Sequence, residues 1–167
     1  MYMVAGMHQE DLNLEDGYTR KPKEIYNYLR AVMYQRRSKG DPLWNQLVIG
    51  GYRDTEGDDS GAFLGYVDLI GTAYEENFIA TGFGAYLAIP IIREKWSKDM
   101  DETEARTLLE DCMRVLFYRD CRASARIQIA KATADGTLVS DPYVINTDWD
   151  TATYDSRHNM PLDGSTW

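Results

Sequence analysis

An α+β fold with mainly antiparallel sheets is the class the sequence predicts, and three observations carry it. Apolar residues recur at helical spacing over residues 22–38 and again over 84–118. Over 43–82 and 124–145 they run in strand-like stretches bounded by Gly, Asp and Pro. The two kinds of run come in blocks (helix, three strands, two helices, two strands) instead of the strict alternation that builds a parallel sheet. At 167 residues the chain suits one domain with its own core. Residues 1–150 read as that domain and 151–167 as a C-terminal tail or arm.

The first clear helix is expected over Pro22–Ser38. Ile25, Leu29, Val32 and Met33 form one stripe, Pro22 suits the first turn, and Gly40, Asp41 and Pro42 stop it. "LWNQLVIGGY" (43–52) and "AFLGYVDLIG" (62–71) read as strands joined by the polar loop "RDTEGDDSG". "TAYEENFIATG" (72–82) reads as a third strand. Gly50, Gly51 and Gly65 inside these strands signal close backbone approach or bulges.

A helix is then expected from Gly84 to about Ser97, with Ala88, Ile91, Ile92 and Trp96 on one face. Pro90 should kink it or fall in its first turns. Asp101 and Glu104 form a variant capping box for the next helix, whose stripe is Ala105, Leu108, Leu109, Cys112 and Leu116. "SARIQIAKAT" (124–133) and "GTLVSDPYVI" (136–145) read as two strands joined by the turn "ADG". Ile127 and Ile129 alternate with Arg126 and Gln128, so one face is expected to be buried and the other polar. Helices cover only one face of a sheet in this order, so the other face should await a further layer.

Composition excludes several functions. Hydrophobic residues at 44% and charged ones at 27% are ordinary for a folded globular chain. A net charge of -9 argues against a nucleic-acid partner, whose phosphates require a Lys/Arg surplus. No apolar stretch approaches the ~20 residues of a membrane span, and "MYMVAGMHQEDL" lacks the basic start of a secretory signal. Two cysteines fit a reducing compartment, cytosolic, nuclear or both.

Metal ligands and cofactor motifs are not evident: His8 and His158 lie near opposite ends, and no Cys/His pair has ligand spacing. Cys112 falls on an apolar stripe and reads as core. Cys121, beside Arg119, Asp120 and Arg122, has the charges that favour a thiolate, but no histidine base is near it in sequence. The corner reads as structural, with Asp120 either paired to an arginine such as Arg119 or capping backbone N–H groups. Gly82-Phe83-Gly84 at a helix start can cradle an anion or simply make a tight turn.

Three colinear stretches say more. "RAVMYQRRSKGDPLWNQLVIGGY", "FLGYVDLIGTAYEENFIATGFGAYLAIPIIREKW" and "TEARTLLEDCMRVLFYRDCRASARIQIA" together resemble proteasome beta subunits, nearest to the type-4 branch at the seventh beta position. The resemblance implies an Ntn-hydrolase fold, a four-layer αββα sandwich with antiparallel sheets. Residues 1–150 would be the later part of that domain without its N-terminal strands, and "MYMVAGMHQEDL" the end of its first helix.

The resemblance also implies a role. Active members use an N-terminal threonine as nucleophile, with supporting residues in Gly-Ser-Gly and Arg-Asp-Ala-X-Ser-Gly-Gly motifs. The matching residues here are Gly82, Phe83 and Gly84, then Arg119, Asp120, Cys121, Arg122, Ala123, Ser124 and Ala125. Phe83 and Ala123 replace the motif hydroxyls and Asp120 is retained, so these three positions read as relics, with no catalytic residue.

The expected function is a non-catalytic structural subunit of the 20S core beta ring, supporting ATP- and ubiquitin-dependent degradation by catalytic neighbours. Partners implied are beta subunits of the same and opposite ring and alpha-ring subunits, in cytoplasm and nucleus, with the tail as an arm onto the opposite ring. The competing expectations are a threonine-type endopeptidase subunit whose catalytic N-terminal segment is absent from this sequence, and a stand-alone binding domain.

Overall fold

The structure is a computed structural model and describes residues 2–14, 19–53 and 61–148. It opens with α1 (Tyr2–Leu14), the helix expected of the N-terminal stretch. Arg20 fastens the chain back onto α1: its Nη1 donates to the Met7 carbonyl at 2.8 Å and pairs with Asp11 at 2.8 Å.

Helix α2 (Pro22–Ser38) occupies the expected span, with Pro22 in its first turn. Its buried face is Tyr26, Leu29 and Met33, while Ile25 and Val32 are only half-buried. Leu29 and Met33 of the expected stripe are thus buried, and Tyr26, whose ring meets Phe63 of the sheet, is buried in place of Ile25 and Val32.

That sheet has the order β1-β2-β3 and is antiparallel, from β1 (Leu47–Arg53), β2 (Gly61–Val67) and β3 (Ala73–Glu75). Leu47 pairs with Val67 and Arg53 with Gly61. Alternation puts Phe63 and Val67 against Tyr26 and Met33, the first core cluster. Tyr26 and Phe63 meet edge to face, centroids 5.4 Å apart. Two strand glycines admit this close packing. A Cβ on Gly51 would lie 2.3 Å from Pro22 Cγ, and one on Gly65 2.8 Å from the Tyr26 ring. Nothing crowds Gly50 in this way; its nearest neighbour would be Leu64 at 3.7 Å.

The third expected strand forms only over Ala73–Glu75. Past the polar Glu76 and Asn77 the chain leaves the sheet, and Phe78 packs against Trp96 at 6.0 Å in the second core cluster. Burial among helices outweighs continued pairing at a sheet edge.

The second cluster lies between α3 (Gly84–Lys95) and α4 (Glu102–Arg119), centred on Ala88, Ile92, Leu108 and Cys112. Pro90 lies inside α3, which runs on through it. The capping box of α4 forms in both directions: Glu104 N–H donates to Asp101 Oδ1 at 2.8 Å, and Asp101 N–H to Glu104 Oε2 at 3.0 Å. Among the described residues no helix is long and apolar enough to cross a membrane.

The last two expected strands appear as four short ones, β4 (Arg126–Ile127), β5 (Ala130–Thr133), β6 (Gly136–Val139) and β7 (Tyr143–Val144). β4 pairs with β7 and β5 with β6, so the overall path is the expected hairpin. Its register slips by one between the pairs, because residues 128–129 face 140–142. Ser140 fills the irregularity: its Oγ accepts from Ile129 N–H at 3.0 Å, and its N–H donates to the Ile129 carbonyl at 2.8 Å. Pro142 cannot donate to a ladder, which is one reason for the break there. Ile127 is buried and Ile129 half-buried, as the alternation required.

β5 lies beside β1. The β1–β3 face turned away from α2 carries Val48, Tyr52 and Tyr74, all exposed, and Tyr66 stacked on Tyr74 at 4.8 Å. An uncovered face is what the element order led us to expect.

Candidate functional site

The two motif stretches meet at one end of the α3–α4 pair. Gly82 takes a φ of +59°, a conformation glycine adopts without strain, and this turns the chain into α3. Its N–H donates to Gln46 Oε1 at 3.2 Å, and Gly84 N–H to the Thr81 carbonyl at 3.2 Å. Gly84 is buried; a Cβ there would meet Ala80 at 3.3 Å and Leu116 of α4 at 3.9 Å. The start of α3 thus packs against the last turns of α4. Phe83 points its ring outward, 59% exposed.

At the other side of this junction α4 ends at Asp120, whose N–H still reaches the Leu116 carbonyl at 2.8 Å. The Asp120 carboxylate accepts from Arg122 N–H at 2.9 Å, and its carbonyl accepts from Ala123 N–H at 3.0 Å. These bonds close a tight Asx turn. Of the structural roles open to Asp120, it takes the capping of backbone N–H groups and not the ion pair with Arg119. Ile145 N–H donates to the Ala125 carbonyl at 2.9 Å and holds the corner against the C-terminal strand.

Chemically this end of the molecule offers little. Phe83 and Ala123 have no side-chain hydrogen-bonding group, and the Asp120 carboxylate is engaged by its own turn. Cys121 is a free, exposed thiol. Cys112 is a buried core thiol, its pKa pushed up first by burial and then by the Asp111 carboxylate. Between the Tyr66–Tyr74 pair and Phe83–Tyr86 runs a cleft of about 510 Å³. The one carboxylate in it, Asp68, accepts from the N–H groups of Ile70 and Thr72 at 3.0 and 2.9 Å, a turn of its own. No cluster of His, Cys, Asp and Glu suited to a metal ion occurs among the described residues. The side chain of His8 and all of His158 lie outside them.

One polar feature was not singled out from the sequence. Arg106, Glu110, Arg114 and Tyr118 recur every fourth residue along α4, and all four bond to residues 143–148. The i, i+4 spacing was present to be seen, but its partners are more than twenty residues away and nothing local names them.

A family model described as "Proteasome subunit" matches residues 4–132, which runs from within α1 into β5 and takes in both motif stretches. The chain belongs to the proteasome subunit family. It is 47% identical over 145 residues to proteasome subunit beta type-4 of Arabidopsis thaliana, covering 87% of this chain and 56% of the relative. To the beta type-4 subunit of Xenopus laevis it is 48% identical over 139 residues, covering 82% and 55%. To that of Dictyostelium discoideum it is 41% identical over 140 residues, covering 83% and 52%. The chain spans about half the length of these curated relatives. Proteasome subunits have the Ntn-hydrolase fold, and the helices and antiparallel sheets described above agree with it. The resemblance stated from the three sequence stretches is borne out.

Proposed function

We propose that this chain is a non-catalytic, type-4 beta subunit of the 20S proteasome core, filling the seventh beta position and holding catalytic neighbours in register. The names of its relatives support the beta type-4 assignment. The observation that carries the non-catalytic reading is the α3–α4 junction. Two positions that bear hydroxyls in active family members hold Phe83 and Ala123, and the retained Asp120 is bound into an Asx turn. A network that polarises a nucleophile needs donors and acceptors aimed at it, and neither replacement supplies one.

In this role the chain works in ATP- and ubiquitin-dependent protein degradation in cytoplasm and nucleus. It contacts beta subunits of its own and the opposite ring and subunits of the alpha ring, each through a different face, as a closed heterologous ring requires. The exposed face of Val48, Tyr52, Tyr66 and Tyr74 is where a second sheet completes the four-layer αββα sandwich. Residues 151–167, which lie outside the described residues, serve as an arm onto the opposite ring. Purified cores treated with a covalent probe directed at N-terminal threonine test the central point. Label is expected on catalytic subunits and absent from this one. A labelled band at this subunit would establish the endopeptidase reading instead.

A further inference from the structure

We propose that the polar edge of α4 is a latch that sets where the C-terminal segment departs, with Tyr118 as its last positioning residue. Tyr143 Oη donates to Glu110 Oε1 at 2.6 Å and accepts from Arg106 Nη1 at 3.5 Å. Next along the helix, Arg114 Nε donates to the Asn146 carbonyl at 2.8 Å, and Asp111 steadies the same guanidinium at 2.6 Å. Last comes Tyr118, whose hydroxyl donates to the Asp148 carbonyl at 2.8 Å and accepts from Asp148 N–H at 2.6 Å.

The two backbones are commensurate. Four helical residues rise about 6 Å, and two extended residues span about 6.6 Å. Arg114 and Tyr118 therefore meet Asn146 and Asp148 in step, and the chain runs parallel to α4 towards its C-terminal end. Apolar packing plays little part in holding Asn146 and Asp148, both exposed, whereas Ile145 just before them is buried. The latch carries the chain along α4 as far as Asp148, beside Tyr118 in the last turn of that helix, instead of letting it leave the hairpin at β7.

This inference rests on the arm reading, and its test separates the two. Reconstituted cores carrying the full chain would be compared as wild type, Tyr118→Phe, Tyr143→Phe and a deletion of residues 151–167. Half-proteasome pairing would be read by native mass spectrometry and amide exchange of the 145–148 peptide by hydrogen–deuterium exchange. Tyr118→Phe keeps the ring and removes both bonds to Asp148, so exchange there should quicken by about tenfold. Pairing should weaken as in the deletion, while Tyr143→Phe, which loosens only the upstream end, should leave pairing intact. Equal weakening of pairing by the two Tyr variants would reduce the latch to an ordinary staple and overturn the inference. So would normal pairing in Tyr118→Phe beside weakened pairing in the deletion, which leaves the arm reading standing. If the deletion pairs normally, the arm reading fails, and the latch then stands or falls on whether Tyr118→Phe quickens exchange.

Discussion

Adjacent glycines in β1 have opposite reasons to be there. Gly51 admits the Pro22 ring, and a Cβ at 2.3 Å from it forces α2 or β1 to shift; Gly50 has room for one at 3.7 Å from Leu64. Gly51→Ala should therefore destabilise the fold by about 1–3 kcal/mol. Gly50→Ala should be neutral or stabilise by up to about 1 kcal/mol, by restricting the unfolded chain. Denaturant titration of both variants checks the pair. Asp111 gives a pH-dependent counterpart. A hydrogen bond from Lys95 holds its carboxyl below the ordinary range; burial opposes this and Arg114 adds to it. A depressed folded pKa means the unfolded chain takes up the proton first as pH falls. The stability it contributes is complete above the unfolded value, about 4, and is lost as pH falls through the folded one. Asp111→Asn should flatten that acid limb in thermal melts and leave the neutral-pH slope unchanged.

Elements whose signals are local were legible in advance. Asp101 and Glu104 mark the α4 start in the sequence, and both bonds of the box form. Asp101→Ala should cost about 1 kcal/mol, measurable as a lowered melting temperature. Elements decided by distant partners were not legible. Phe78 leaves the third strand for Trp96, the slip at Ser140 depends on which residues face each other across the hairpin, and the α4 latch joins residues more than twenty apart. At the candidate site the positions of Phe83, Asp120 and Ala123 came from motif resemblance. Their meeting at one end of the α3–α4 pair follows from Gly84 lying against Leu116, a contact no local pattern contains.

On the scale of the whole molecule, the β1–β3 sheet is covered by α2 on one side and exposes Val48, Tyr52 and Tyr74 on the other. Apolar sheet faces of this kind are interaction surfaces or aggregation liabilities. Expressed alone, the chain should therefore self-associate in light scattering behind size-exclusion chromatography, whereas a stand-alone binding domain would run as a clean monomer. Membership of a proteasome ring, as proposed for this chain, is tested by native mass spectrometry of complexes purified through a tag on it. Recovery within intact 20S particles, together with alpha subunits and the other beta subunits, is the expected result. Recovery only as a free monomer or as a homo-oligomer, with core particles present in the same extract but lacking it, would mean that the chain is not a ring subunit.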